Sequence, residues 1–85
     1  MAADRTDILG ALCREISIIT HTDVGSIDPA ADLGKNGIDS MSFLELLLFI
    51  KNEWGVDYIG AGLPPDAQHS IDALAGHIQR DLSGK

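Results

Sequence analysis

From Ser40 to Trp54 the chain reads Ser-Met-Ser-Phe-Leu-Glu-Leu-Leu-Leu-Phe-Ile-Lys-Asn-Glu-Trp, and its apolar spacing admits one regular structure. Phe43, Leu47, Ile50 and Trp54 recur at three- and four-residue steps, the period of a helix with one buried stripe, and Leu46 stands beside them. That stripe is expected to be core. Asp39 is placed to cap the helix, Ser42 and Glu45 have capping-box spacing as an alternative start, and Gly55 suits a left-handed end. Met41, Leu44 and Leu48 form a second apolar line starting beside Ser40, and one bundle face cannot easily bury both lines. A helix so apolar must be covered by the rest of the chain. With 85 residues in all, the chain has material for one core and one domain, residues 1–85.

The covering elements are legible on both sides. From about residue 6 to 19, Leu9, Leu12, Ile16 and Ile19 predict a first helix, with Asp4 or Thr6 as its cap and Asp7 near its positive end. From about 71 to 82, Ile71, Leu74, Ile78 and Leu82 predict a last helix opened by Ser70, with Asp72 in its first turn and a fraying tail from Ser83. Gly76 weakens that helix by about 1 kcal/mol relative to Ala. Between the first two helices, residues 21–38 lose periodicity and form a long loop, for which Val24, Ile27, Leu33 and Ile38 are the available anchors. After Val56, the Gly- and Pro-rich stretch leaves room for at most one helical turn, at about 58–62. The fold class is all-α.

Composition narrows the partners. Six Lys and Arg against thirteen Asp and Glu give a net charge of −7, so nucleic acid is repelled and basic protein surfaces are favoured. No apolar run is long enough to span a membrane, and the N-terminal Met-Ala-Ala-Asp-Arg-Thr-Asp lacks a signal-peptide core; the expected location is the cytoplasm. The single cysteine, Cys13, fits a reducing compartment and reads as a small core or flank residue. His21, His69 and His77 lack metal-ligand spacing and read as surface or loop residues. Ser40 alone reads as a helix cap; a hydrolase nucleophile is disfavoured because no G-x-S-x-G elbow surrounds it and no strand precedes it.

The segment Asp32-Leu33-Gly34-Lys35-Asn36-Gly37-Ile38-Asp39-Ser40-Met41 resembles the attachment site of acyl carrier proteins, usually written D-x-L-G-x-D-S-L with variable spacing. The resemblance covers nearly the whole chain and is strongest from Asp32 to Val56. It implies a small acyl-carrier-like bundle of three main helices plus a short, irregular third one, and a monomer. It also implies that Ser40 carries 4'-phosphopantetheine, taken from coenzyme A by a phosphopantetheinyl transferase, with Asp39 orienting the site. The physical chemistry of the position agrees: a helix N-terminus offers free N–H groups beside the incoming phosphate, and Gly37 lets the chain turn closely at that corner. A carrier is not itself an enzyme. It takes an acyl group from an acyltransferase or acyl-activating ligase, holds it as a thioester and delivers it to a ketosynthase or other acyl-processing enzymes. The pathway implied is polyketide or other secondary-metabolite (antibiotic) biosynthesis, or fatty-acid biosynthesis, and the absence of linkers suggests a stand-alone carrier.

In the family, partners dock on the second helix, and the matching positions are Asp39, Met41, Glu45, Leu48 and Glu53. Ser42, Lys51 and Asn52 stand where fatty-acid carriers often have acids, so Lys51 beside Leu48 points to a partner that reads shape and apolar contact as much as charge. Phe43 is expected to crowd the interior pocket that shelters long chains, which favours a short or polar cargo. A peptidyl, aminoacyl or D-alanyl carrier is the nearest alternative; a helical adaptor without any prosthetic group is the alternative of another class.

Overall fold

A computed structural model describes residues 4–84. Among them the structure is all-helical: α1 (Arg5–Thr20), α2 (Ser40–Trp54), a single-turn α3 (Tyr58–Ala61) and α4 (Ile71–Ser83), with 3-10 turns at Val24–Ser26 and Pro65–Gln68. The N-terminal residues 1–3 and the last residue of the expected fraying tail lie outside the described residues.

Each helix begins on a side-chain cap. Asp4 Oδ1 accepts from the Asp7 amide at 2.9 Å, so Asp4 rather than Thr6 opens α1. Asp39 Oδ1 accepts from the Ser42 amide at 2.9 Å, which settles the start of α2 on Asp39 and not on a Ser42–Glu45 box. Asp57 Oδ1 receives the Ile59 and Gly60 amides, and Ser70 Oγ receives the Ala73 amide. Such bonds absorb the orphan donors of a helix start. Gly55 closes α2 at φ 74° with its amide on the Lys51 carbonyl, as expected. His21 closes α1 in the same left-handed region at φ 59°, an uncommon place for a side chain with a Cβ.

The core is one cluster. Ile8, Leu12 and Ile16 of α1, Leu46 and Ile50 of α2, and Ile71, Leu74 and Ile78 of α4 have no exposed surface. The α1 stripe is therefore turned from the expected one: Ile8 is buried, while Leu9 and Ile19 are half-buried on its flank. Ile8, Leu12 and Ile16 stand at strict four-residue steps, and that row is the one that faces both α4 and α2. On α2, Phe43 and Trp54 share the angle of the buried stripe but are only half-buried, because they sit at the helix ends where the neighbouring helices no longer cover them. Trp54 packs edge-on against Phe49, ring centroids 5.6 Å apart. Leu82 is likewise half-buried in the last turn of α4.

Arg5 lies across α4 at Gly76, where a Cβ would come within 3.4 Å of its guanidinium carbon, and reaches the Asp72 carboxylate at 3.0 Å. Tyr58, 4% exposed, ties α3 to α4 by donating its hydroxyl to Asp81 Oδ2, and its ring stacks at a tilt on His77. Burial and the adjacent Asp81 carboxylate push the Tyr58 phenol well above its usual range. No helix among the described residues is long and apolar enough to cross a membrane.

Candidate functional site

The long loop is held by its own side chains. Asn36, only 8% exposed, accepts the Asp28 amide on Oδ1 at 2.8 Å and donates from Nδ2 to the carbonyls of Asp28 (2.9 Å), Asp32 (3.0 Å) and, weakly, Ala31 (3.4 Å). This one amide closes the nine residues 28–36 into a ring. Asp32 Oδ1 takes the Lys35 amide at 2.7 Å, starting the turn that runs to Gly37. Ile27, Leu33 and Ile38 drop into the core as anchors; Val24, expected among them, is 55% exposed because the 3-10 turn it opens faces away from the bundle. The Pro29 carbonyl accepts the Asp72 amide at 3.0 Å and so fastens the loop to the start of α4.

Gly37 then turns the chain into α2 at φ 90°, and a Cβ at this residue would lie 3.3 Å from Thr20 Cγ2 at the end of α1. Both the backbone angle and the close approach call for glycine. Asp39 follows as the cap, with its carboxyl held below the usual carboxylate range by the Ser42 amide first and the Ser42 hydroxyl second. Ser40 is the first residue of α2. It is exposed, among the described residues its hydroxyl makes no hydrogen bond and its amide has no partner, and the Met41 amide helps the Ser42 groups hold the Asp39 carboxyl down. An unhindered hydroxyl thus stands beside an unused N–H group at the positive end of a helix.

Ser40 and Asp39 line an open groove of about 760 Å³, together with the loop from Ala30 to Lys35, Phe43, and Pro65, Gln68 and His69 from the second 3-10 turn and its end. Phe43 forms a wall of this groove and packs against the core cluster as well. His69 lines the groove without a hydrogen bond to the Ser40 hydroxyl among the described residues.

The second apolar line of α2 is solvent-facing: Met41 is 78% exposed, Leu44 50% and Leu48 45%. At about 100° per residue, Met41, Glu45 and Leu48 cluster on the side opposite the core, with Asn52 continuing that face and Leu44 and Lys51 on one flank. Glu53 is not brought there. It lies on the other flank and lines a cleft toward α1 with Arg14 and Ile18. Lys51 sits close enough to Asp57 to help lower the Asp57 carboxyl, behind the larger effect of the Gly60 amide. It therefore guards the junction with α3 as well as the exposed face.

The groove residues Gln68 and His69 were not singled out by the sequence as parts of a site, nor was Asn36, which pins the loop that forms one wall. The Asn-Gly pair at Asn36 marks a turn, but nothing in the pattern shows which turn residue is buried. No family model matches the chain, and no curated protein matches it either.

Proposed function

We propose that the chain is an acyl carrier protein, with 4'-phosphopantetheine esterified to Ser40. The observation that carries this reading is the Ser40 corner: a hydroxyl that is exposed and makes no hydrogen bond among the described residues, the Ser40 amide without a partner among them, and a capping carboxylate at Asp39. The residues present suit the group. The phosphate would lie at the positive start of α2, and the groove that Ser40 lines gives the arm somewhere to rest. In the loading step, Ser40 Oγ forms a bond to the β-phosphorus of coenzyme A, the pyrophosphate bond breaks to release 3',5'-ADP, and the serine proton passes to the transferase. Once in place, the group supplies a thiol on a flexible arm, on which an acyl chain is held as a thioester.

The chain's own contribution is presentation. Gly37, Asn36 and the Asp39 cap fix where Ser40 stands, and tethering raises the effective concentration of the cargo at each enzyme that docks. The exposed Met41, Leu44 and Leu48 line beside Ser40 supports docking of the transferase, of an acyltransferase or acyl-activating ligase, and of a ketosynthase or similar enzyme on α2. The same line supports the second reading, an adaptor that binds proteins and carries nothing.

Incubation with coenzyme A, Mg²⁺ and a broad phosphopantetheinyl transferase, followed by intact-mass measurement, decides between them. The wild-type chain is expected to gain the prosthetic mass and Ser40→Ala to gain none. A wild-type chain that stays unmodified with every competent transferase leaves the adaptor.

A further inference from the structure

The groove beside Ser40 is not a neutral surface. Its far residues are Lys35 on the loop and Gln68 and His69 after α3, all exposed, so hydrogen-bonding groups meet whatever lies in it. Gln68 has one N–H engaged with the Leu63 carbonyl at 3.1 Å, which holds the side chain in place and leaves its oxygen available. Eight large apolar side chains of α1, α2 and α4 are fully buried in the bundle interior, and the groove and the two smaller clefts, about 420 and 200 Å³, all open to solvent. A long alkyl chain in such a groove keeps much of its surface in water, whereas small-molecule sites of this volume bind well only when they enclose most of the ligand.

Resting on the reading of Ser40 as the attachment point, we propose that the groove seats a short acyl group bearing a hydrogen-bonding substituent, a hydroxyl, amine or carboxylate, and that Gln68 and His69 are the residues that recognise it. The two are specificity-determining and not catalytic: they bind cargo between deliveries. Their place in the chain supports this. Pro65–Gln68 is a 3-10 turn that the one-turn α3 does not require, and it puts Pro65, Gln68 and His69 against the same groove as Ser40. Since the cargo is tethered at the groove's own edge, even weak contacts suffice to hold it.

The test loads the full chain enzymatically with three stable pantetheine amide analogues: a short plain acyl, the same length with a hydroxyl, and an octanoyl group. Mass measurement first establishes loading on Ser40, and backbone ¹H–¹⁵N spectra then locate the cargo. The hydroxyacyl form is expected to shift Lys35, Gln68 and His69 beyond the plain acyl form, and a Gln68→Ala/His69→Ala double variant, which alters two exposed side chains, should lose that extra shift while still loading. Octanoyl is expected to leave Leu46, Ile50 and Leu74 unmoved. Loaded protein in which octanoyl shifts those core residues, or in which Gln68 and His69 ignore the hydroxyl, overturns the cargo assignment alone. Failure to load Ser40 overturns the carrier reading and this proposal with it.

Discussion

Replacing Asn36 tests whether one buried amide holds the attachment corner. In Asn36→Ala, the Asp28 amide and the carbonyls of Asp28 and Asp32 lose partners at 2.8, 2.9 and 3.0 Å, while the Ala31 contact at 3.4 Å is too long to matter much. At about 1 kcal/mol net for each of three good bonds the ceiling is ~3 kcal/mol, and rehydration of an exposed loop brings the expected loss to about 2 kcal/mol. For a domain whose whole stability is of the order of 5–15 kcal/mol this is a large fraction. Asn36→Asp is the sharper probe, because it keeps shape but turns the donating nitrogen into an acceptor facing carbonyls. The introduced carboxyl is expected to have a raised folded pKa; its variant should be most stable in acid, lose stability as pH rises, and at neutral pH be worse than Asn36→Ala. Urea unfolding followed by circular dichroism measures both, and the rate of pantetheine transfer to Ser40 should fall with them. A loss for Asn36→Ala below about 0.5 kcal/mol, the range of an indifferent surface change, refutes the clamp.

Tyr58→Phe removes the hydroxyl bond to half-exposed Asp81 and is expected to cost about 1–2 kcal/mol. Because the folded phenol titrates above its usual value, that deficit should be constant below about pH 10 and shrink as pH rises further, seen in thermal melts of both proteins. Asp39→Asn should flatten the acid side of the stability profile: the lowered Asp39 carboxyl contributes stability above its unfolded pKa and loses it as pH falls through the folded one, an effect denaturant titration at several acid pH values detects. Lys51→Glu is expected to slow cognate transfer reactions by placing an acid beside the Leu48 face and to remove a cation near Asp57; unchanged rates with every cognate enzyme would remove its assigned role in docking.

The helices were legible because their signals are local. Asp39 and Gly55 mark the ends of α2, and the bounds expected from them are the bounds observed. Burial was read less well, since spacing gives the angle of a side chain around its helix but not how far its neighbours extend: hence Phe43 and Trp54 half-exposed at the ends, and Ile8 buried in place of Leu9. The split of α2 into a covered and an uncovered apolar line followed from there being too much apolar surface for one face, and Met41, Leu44 and Leu48 are indeed outside. What stayed hidden was long-range. No local pattern shows that Asn36 turns inward, that Arg5 crosses α4 at Gly76, 71 positions later in sequence, or that residues after α3 return to the groove at Ser40.

The loop's three attachments have a mechanical consequence. Pro29 shares a hydrogen bond with Asp72 at the middle, Gly37 passes close to Thr20 of α1 near the loop's end, and Asp39 starts the next helix there. Such a strap cannot slacken unless α1 or α4 gives way too, so amide exchange at Asp72 and Ile38 should require nearly the full unfolding energy. The serine is then a fixed post on a stiff frame, and all the reach needed to visit successive enzymes must come from whatever is hung upon it.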